Sequence, residues 1–359
     1  MSGRRFQPDA LSALGTRIFA ALGAPEDIAR IVATSLVDAN LTGHDSHGVL
    51  RIPQYAQRIR EGLVRPAARP RFVDGRQAIG LVSGEWGFGQ LAGRLATDEA
   101  VRRAREFGIG AVGTVRCNHF GRMGEYMERA AEQGSVASVW VGGLGQRAAV
   151  PHGGRRPTLG TNPIAVGFPV AGEHPVIVDF ATTAVAAGKI MVARAAHRPL
   201  PSGSIVDREG HPTTNAEDYY AGGALLPAAA HKGFGLSVAA ELLGQALTGA
   251  DAINDAPGKE PVHNHSGALF LAIDPSSMRP AEQAKAQARR IVDRIRAIPP
   301  ADGFDRVRTP GQPEVESRRD RRTAGFEIPD DTWRAIVDCA RSVGLRDEDL
   351  PVHMGAKAQ

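Results

Sequence analysis

The sequence has few cysteines and no long apolar run, and both features limit the kind of protein that it can encode. Two cysteines, Cys117 and Cys339, occur in 359 residues, so the chain has neither a disulfide framework nor a CxxC metal or redox motif. No apolar stretch reaches the ~18 residues that a membrane-spanning helix needs. Twin arginines stand near the start, but Asp9 and Arg17 interrupt the apolar segment that a secretion signal requires. These absences predict a cytoplasmic protein with no membrane partner.

A strong charge of one sign is also absent. The chain has 43 Lys and Arg residues against 39 Asp and Glu residues, a net charge of +4. Its densest basic run, RRDRR at 318–322, contains no aromatic residue and is not part of a basic tail. This pattern indicates a solvated face rather than a nucleic-acid-binding patch, so we expect no nucleic-acid partner. The weak basic excess favours a small anionic substrate.

The order of periodic segments predicts two domains. Three N-terminal segments repeat apolar residues at helical spacing, and each ends at a glycine. Short apolar or alternating runs bounded by Gly and Pro then predict strands; they read AIGLVSG, IGAVGTV, SVASVWVGG, AVGFPV and PVIVDF. Helical spacing returns near the C-terminus. We therefore predict a helical domain built from residues 1–70 together with 276–359, and a mixed α/β domain at 71–275.

Two glycine-rich segments imitate a dinucleotide-binding fingerprint. GIGAVG at 108–113 follows a helix and lies in a strand, which is the wrong order, so Gly108 is better explained as the C-cap of that helix. GFGQLA at 87–92 follows a strand and precedes a helix, as the fingerprint requires. The next strand ends in Arg116, which could suit the 2′-phosphate of NADP. A Rossmann unit at this second segment therefore stays open on the residues alone.

The stretch NLTGHDSHGVLR at 40–51 has two interpretations that involve no proton transfer. His44 and His47, with Asp45 between them, could begin a metal site. No HExxH motif accompanies them, and the sequence HNH at 263–265 lies in a separate segment. Alternatively the stretch is a polar junction between two helices, in which Ser46 caps the third helix.

A third interpretation of the same stretch is a proton-transfer site. Ser46 and His47 are adjacent at a helix start, and Arg51 follows His47 at i+4, a spacing that places both side chains on one helix face. Imidazole titrates near neutral pH, and guanidinium binds carboxylate through paired hydrogen bonds. A small 2-oxo or 2-hydroxy acid needs both groups at once.

Three further polar residues stand at the ends of predicted elements. His119 in CNHFG follows a strand directly. Asp179 ends the apolar run VIVD, where it is either a carboxylate that orients a histidine or a cap for the next segment. Lys232 in HKGFG precedes a helix, where it meets either a phosphate or solvent.

Six motifs, in order between about residues 8 and 350, together resemble the type 2 malate/L-lactate dehydrogenase family: GHDSHGVLRIPQY, CNHFG, PTLGTNPIAVGFP, VDFATTAVAAGKI, LLPAAAHKGFGLSVAAELLGQALTGA and FLAID. The family includes sulfolactate and ureidoglycolate dehydrogenases, diketogulonate reductase and cyclic-imine reductases. The resemblance implies hydride transfer between NAD or NADP and the α-carbon of a small 2-hydroxy or 2-oxo acid. It also implies an α+β, non-Rossmann fold, in which a largely antiparallel cofactor-binding sheet accompanies a helical domain formed by both termini, and a homodimer.

The resemblance also implies roles for individual residues. His47 matches the proton donor, with Ser46 and Asp179 completing its relay, and Arg51 matches the contact to the substrate carboxylate, with His44 beside it. His119 matches a second histidine that some members use as the acid or base, so the choice between the two histidines stays open. The implied cofactor-binding residues are Val178, Asp179, Phe180, Ala181, Thr182, Thr183, Lys232, Gly233, Gly311 and Gln312.

Two other activities remain as alternatives at this point. One is an NADPH-dependent reductase of a cyclic imino acid, which belongs to the same family. The other is a metal-dependent hydrolase that uses His44 and His47, whereas the resemblance implies no metal. The chain also departs from the usual family pattern, because the segment LLPAAAHKG has alanines where glycines are common.

Overall fold

The computed structural model describes residues 3–143, 147–195, 197–252, 255 and 266–354. In this part of the chain it has eleven α-helices: α1 Pro8–Ala21, α2 Glu26–Leu41, α3 Arg51–Arg60, α4 Gly89–Phe107, α5 Gly124–Glu132, α6 Ala187–Ala195, α7 Ala216–Tyr220, α8 His231–Glu241, α9 Ala281–Arg296, α10 Gln312–Ala324 and α11 Asp330–Ser342. A π-helical turn, Leu242–Ala246, continues α8. None of the described helices is long and apolar enough to cross a lipid bilayer.

Twelve strands are present in the described residues: β1 Gly3–Phe6, β2 Arg71–Arg76, β3 Ile79–Ser83, β4 Ile109–Cys117, β5 Val136–Gly142, β6 Ile164–Phe168, β7 Val176–Phe180, β8 Ile205–Val206, β9 Pro212–Thr213, β10 Ala224–Leu225, β11 Ser266–Ile273 and β12 Phe326–Pro329. Seven of them form one sheet in the order β2-β3-β4-β11-β5-β6-β7. Within it β3 and β4 are parallel, and the other neighbouring pairs are antiparallel. The protein is therefore a mixed α/β fold with a mostly antiparallel sheet, as expected.

Helices from both ends of the chain share one hydrophobic core. Residues of α1, α2 and α3 pack with residues of α11, and β1 pairs with β12 in antiparallel register. The apolar residues at helical spacing in α2, such as Val32 and Leu36, are buried in this core. Phe88 and Leu91, at the start of α4, also belong to it. The proposed boundaries of the two domains stay a prediction.

A second core lies between the seven-stranded sheet and helices α4 and α5. Gly110 on β4 allows the closest approach, because a Cβ there would overlap the carbonyl group of Ala100 on α4. Gly108 ends α4 in the left-handed region, with φ of 84°, and this confirms its assignment as a C-cap. The β3–α4–β4 segment thus has the strand–helix–strand order that GFGQLA suggested.

The basic run RRDRR is not simply a solvated face, so that prediction was wrong in part. Arg318 and Arg321 are half-buried on the inner side of α10, whereas Arg319 and Arg322 are exposed. Arg318 forms ion pairs with Asp38 on α2 and with Glu128 on α5. The i, i+3 spacing of the inward residues explains the difference, because it places them on one side of the helix.

Replacing Arg318 with Met should lower the free energy of unfolding by about 2 kcal/mol, because Asp38 and Glu128 would lose one of two shared cations at a half-buried site. Arg319→Met is the matched control on the same helix. Its side chain is 75% exposed and pairs only with the adjacent Asp320, so its effect should stay within about 0.5 kcal/mol. Urea unfolding of both variants measures the difference. Equal shifts would contradict the structural role of Arg318.

Candidate active site

The histidine motif at 44–47 forms a junction between α2 and α3 that hydrogen bonds hold in one conformation. Asp45–His47 makes a single 3-10 turn after α2. Asn40, near the end of α2, fixes this turn from both sides: its Oδ1 accepts a hydrogen bond of 2.8 Å from the Val49 N–H, and its Nδ2 donates one of 2.7 Å to Asp45. Gly48 is required here, because a Cβ would overlap the Asn40 side chain. The junction therefore has a defined conformation that holds Ser46 and His47 in place.

Two expectations for this junction were wrong. Leu50 is the N-cap of α3 and no side chain caps the helix, so Ser46 is not a cap. His47 precedes α3 instead of sharing a helix face with Arg51, because the extended backbone at Gly48 separates the 3-10 turn from the helix. Arg51 nevertheless reaches back toward the motif, and its Nε donates a 2.8 Å hydrogen bond to the Ser46 carbonyl.

His47 and His119 meet in the wall of a cavity of about 1450 Å³. Their rings are stacked, with centroids 5.6 Å apart and planes 10° from parallel. The Ser46 hydroxyl lies 3.1 Å from His47 Nδ1, within hydrogen-bonding distance. This leaves the Nε2 atom of His47 as the ring nitrogen available to a substrate.

A short hydrogen-bond chain orients His119. The Gln90 amide donates to the Tyr55 hydroxyl oxygen over 3.1 Å, and that hydroxyl lies 2.7 Å from His119 Nδ1. Because Tyr55 accepts from Gln90, its own O–H is free to donate to Nδ1. When it does, the proton of the neutral imidazole resides on Nε2, and His119 is a hydrogen-bond donor in the cavity.

The surroundings keep both imidazoles neutral at neutral pH. Burial in the cavity wall, with the positive charge of Arg51 as the next cause, lowers the pKa of His47 to about 3. Burial and the same guanidinium hold the pKa of His119 well below 6.5. A bound carboxylate at Arg51 would offset that positive charge and make protonation of His47 easier. The free site therefore holds two neutral imidazoles.

Arg51 carries a charge that no acid balances. Its contacts are to neutral oxygens, the Ser46 carbonyl and the Gln54 side chain. No carboxylate among the described residues forms an ion pair with it. A cavity-lining guanidinium in this state is a binding site for an anion.

Asp179 faces the same cavity from β7, but it does not complete the predicted relay directly. Its Oδ2 accepts a 2.7 Å hydrogen bond from the Gly124 N–H. Within the described part of the chain, no hydrogen bond joins it to Ser46. Burial raises the pKa of Asp179, and the Gly124 N–H and the nearby His44 and Arg122 oppose this effect.

The predicted site residues divide into two groups. The cavity brings together His44, Ser46, His47, Arg51, His119, Asp179, Phe180, Ala181 and Thr183. Six predicted cofactor residues lie outside its wall: Val178, Thr182, Lys232, Gly233, Gly311 and Gln312. Lys232 is an exposed residue in the first turn of α8, and Gly311 is the N-cap of α10 against the backbone of β7.

The alanines of LLPAAAHKG keep a backbone that suits glycine. Ala229 and Ala230 have φ angles of 49° and 54°. Non-glycine residues rarely adopt such angles and strain accompanies them. Ala229 and Ala230 therefore form a strained turn before α8.

The two motif histidines have different partners. His44 Nε2 lies 3.2 Å from a carboxylate oxygen of Glu314 on α10, whereas His47 contacts Ser46 and His119. The described residues contain no group of three or more His, Cys, Asp or Glu side chains that could hold a metal ion. The HNH segment at 263–265 lies outside the described residues.

Several residues of the site were not predicted from the sequence. Tyr55 and Arg58 follow the predicted Arg51 at helical spacing, so their common face on α3 was recognisable. Asn40 and Gln90 gave no signal, because each acts through contacts with a distant segment. The buried Arg122, which lines the cavity and pairs with Asp38 and Glu128, gave none either.

These features suit an enzyme that exchanges a proton with a small carboxylate. Two neutral histidines adjoin an unbalanced guanidinium in a cavity with room for more than one ligand. Comparison with known proteins gives the family. The family model for malate/L-lactate dehydrogenase matches residues 6–337, and the chain belongs to that family.

Individual relatives agree with this assignment over nearly the whole chain. Hydroxycarboxylate dehydrogenase B of Escherichia coli (strain K12) is 33% identical over 355 residues, which is 97% of each chain. The structure of sulfolactate dehydrogenase from Methanocaldococcus jannaschii matches with a TM-score of 0.86 and 32% identity, and covers 97% of this chain and 99% of that one. Delta1-piperideine-2-carboxylate reductase from Pseudomonas syringae matches with a TM-score of 0.81 and 32% identity, covering 94% and 99%.

Proposed function

We propose that the protein is an NAD(P)-dependent oxidoreductase that transfers a hydride between the nicotinamide and the α-carbon of a small 2-hydroxy or 2-oxo acid. The observation that carries this proposal is the pair of neutral, stacked histidines beside the unbalanced Arg51. Such a site binds a carboxylate and exchanges a proton with the oxygen on the neighbouring carbon. Membership of the malate/L-lactate dehydrogenase family supports the redox part.

The cavity suits a nicotinamide dinucleotide together with a small acid. Its volume of about 1450 Å³ exceeds the ~300–1,000 Å³ that is usual for one small ligand. Arg147 and Lys189 line it and form no ion pair with any described carboxylate, so they would hold the cofactor phosphates. When bound, the nicotinamide supplies the site that accepts or donates the hydride. The predicted residues of β7 and the segment after it would contact this cofactor, which is NAD or NADP.

We further propose that the cofactor does not bind in the Rossmann manner. The start of α4 is closed, because a Cβ at Gly89 would overlap the backbone of Asn118 and His119. A pyrophosphate has no room there, although the fingerprint would require it. Arg116 is also engaged, since it pairs with Asp255 at 2.7 Å. These contacts support a cofactor site in the histidine cavity and not at the start of α4.

The tautomer of His119 supports His47 as the proton carrier. With Tyr55 donating to its Nδ1, His119 carries its proton on Nε2, where it would polarise the substrate oxygen or hold the carboxylate and would not accept a proton. His47 has a free Nε2 lone pair when Ser46 donates to its Nδ1. In the oxidation, His47 therefore takes the hydroxyl proton while Arg51 holds the carboxylate. In the reduction, the protonated His47 returns this proton to the substrate oxygen.

This assignment predicts different pH profiles for the two directions. For oxidation of the hydroxy acid, kcat/KM should stay constant from about pH 5 to pH 8, because His47 with a pKa of about 3 is already neutral. For reduction, His47 has to be protonated first, so kcat/KM should fall about tenfold for each unit rise in pH. Initial rates in both directions measure this. An inflection near pH 6.5, the ordinary histidine pKa, in both profiles would contradict the assignment.

A second candidate is reduction of a cyclic imino acid. The likeness to delta1-piperideine-2-carboxylate reductase favours it. The same groups would serve, with Arg51 on the carboxylate and His47 supplying a proton to nitrogen. This substrate has one negative charge, which separates it from diacids in an assay.

The homodimer and the cytoplasmic location stay predictions. Three exposed leucines on the continuous helical segment of α8 and the π-helical turn support the first of them. Leu236 is 38% exposed, Leu242 57% and Leu247 66%. Exposed large apolar side chains of this kind occur in protein–protein contacts.

The test of the proposed function is the absorbance of reduced nicotinamide during incubation with candidate substrates. NADH and NADPH are supplied separately with oxaloacetate, pyruvate, sulfopyruvate and a cyclic imino acid. We expect oxidation of one reduced cofactor with at least one 2-oxo acid, and EDTA should leave the rate unchanged. Loss of activity in EDTA would favour a metal-dependent enzyme. Absence of turnover with every acid would contradict the proposal.

A further inference from the structure

One face of α3 carries two arginines on either side of the tyrosine that orients His119. Arg51, Tyr55 and Arg58 stand at i, i+4 and i+7 and all line the cavity. Tyr55 hydrogen-bonds to His119, and the positive charges of both Arg51 and Arg58 act on that imidazole. His119 therefore lies within the electrostatic field of two guanidinium groups, one on each side of its contact with α3.

Like Arg51, Arg58 has no strong partner among the described residues. Its hydrogen bond is a long one, 3.3 Å from Nη2 to the Asn118 side-chain oxygen. The nearest acid on its helix, Glu61, is exposed and accepts a 2.7 Å hydrogen bond from Gln57. No carboxylate among the described residues forms an ion pair with Arg58, and partial burial lowers its pKa. Its charge thus faces the cavity, and the negative charge of Glu61 acts on it only through space, without an ion pair.

Three other cationic side chains of this cavity wall are balanced, whereas Arg147 and Lys189 form no ion pair with a described carboxylate. Arg122 pairs with Asp38 and Glu128, and Arg321 pairs with Asp45. Arg5 pairs with Glu327. Beside His119, the described part of the chain therefore presents two free guanidinium groups, those of Arg51 and Arg58.

We propose that Arg58 binds a second negative group of the substrate, so that the enzyme prefers dianionic 2-oxo and 2-hydroxy acids to monocarboxylates. This inference rests on the proposed function. Residues 51 and 58 are about 10 Å apart along the helix axis. An acid with a backbone of four atoms and an anionic group at each end spans this separation when the lengths of its hydrogen bonds to the two guanidinium groups are added to its own length. Its α-carbon then lies between the arginines, next to the histidines.

The second negative group is a carboxylate or a sulfonate, since guanidinium binds both through paired hydrogen bonds. Dianionic probes that differ only in this group distinguish them. Oxaloacetate carries the carboxylate and sulfopyruvate the sulfonate. The matched monoanion is 2-oxopentanoate, which has a similar length and an apolar end.

The experiment measures kcat/KM for these three acids with the wild-type enzyme, Arg58→Met and Arg58→Lys. We expect the wild type to prefer one dianion to 2-oxopentanoate by about 100-fold. Arg58→Met should lower kcat/KM for that dianion by about 30-fold, and Arg58→Lys should lower it less because the charge remains. For 2-oxopentanoate, the loss of kcat/KM in Arg58→Met should be at least about tenfold smaller than for the dianion, and circular dichroism checks separately that this variant is folded.

The possible failures are distinct. A wild-type preference for 2-oxopentanoate or pyruvate would overturn the dianion inference and leave the oxidoreductase in place. The same holds for an equal loss with all three acids in Arg58→Met. No turnover of any acid by the wild type, with either NADH or NADPH, would overturn the proposed function and this inference with it.

Discussion

Replacing His47 with Ala should lower kcat by about 10³-fold in both directions. Proton transfer by a positioned imidazole typically contributes 10²- to 10⁴-fold to a rate, and His47 is the histidine with an open Nε2 atom. Its Nδ1 is held by Ser46 at 3.1 Å, so the ring is already oriented in the free protein. Steady-state rates of the variant with the best substrate of the panel measure this loss.

Three controls make the His47 result specific. The affinity for the reduced cofactor, measured through the fluorescence of that cofactor, should be unchanged within about threefold, because His47 acts on the substrate. Added imidazole should restore part of the rate by supplying the missing base. His119→Ala should leave the pH profile of the oxidation unaltered, since His119 donates a hydrogen bond and accepts no proton. Turnover of His47→Ala close to that of the wild type would remove His47 from this role.

Replacing Arg51 with Ala should raise KM by about 100-fold for every acid and change kcat much less. A hydrogen bond to a charged group contributes about 1.5–3 kcal/mol, and each 1.4 kcal/mol corresponds to a factor of ten. The carboxylate is bound before hydride transfer and stays bound during it, so the loss appears mainly in KM. The unbalanced charge of Arg51 in the free site is the structural reason for this expectation.

The choice of substrate and variant separates Arg51 from its neighbour on α3. Arg51→Ala should weaken the binding of monoanions and dianions equally, because both carry the first carboxylate. Arg58→Met should weaken mainly the binding of dianions. Arg51→Lys should recover part of the affinity, since lysine keeps the charge and loses the paired geometry. If kcat fell in Arg51→Ala with KM unchanged, Arg51 would act on the transition state instead.

Much of the fold could be predicted from local patterns. The helices α1 to α4 and most long strands of the sheet were visible as helical spacing or as apolar runs between glycines, because those signals lie within ten to twenty residues. The pairing of β1 with β12 could not be predicted, since the two strands are short and more than 300 residues apart. Helix α5 was also missed, because its glycine-flanked start resembles a turn.

Site residues that stand together in one motif could be predicted, whereas residues that only the fold brings to the site could not. Ser46, His47 and Arg51 stand together in one segment, so their proximity was expected. Asn40 and Gln90 have ordinary surroundings in the sequence, and only the fold brings them to the Asp45–His47 turn and to Tyr55. The inward face of α10 was misjudged for the same reason, because its partners Asp38, Asp45 and Glu128 belong to other elements.

The most direct test of the whole account is the fate of a label on the nicotinamide. The reduced cofactor, deuterated at both C4 positions, is incubated with the preferred 2-oxo acid, and the product is examined by NMR. We expect deuterium on the α-carbon of the hydroxy acid, with the oxygen-bound proton coming from solvent through His47. Product without deuterium on the α-carbon would contradict hydride transfer to that atom.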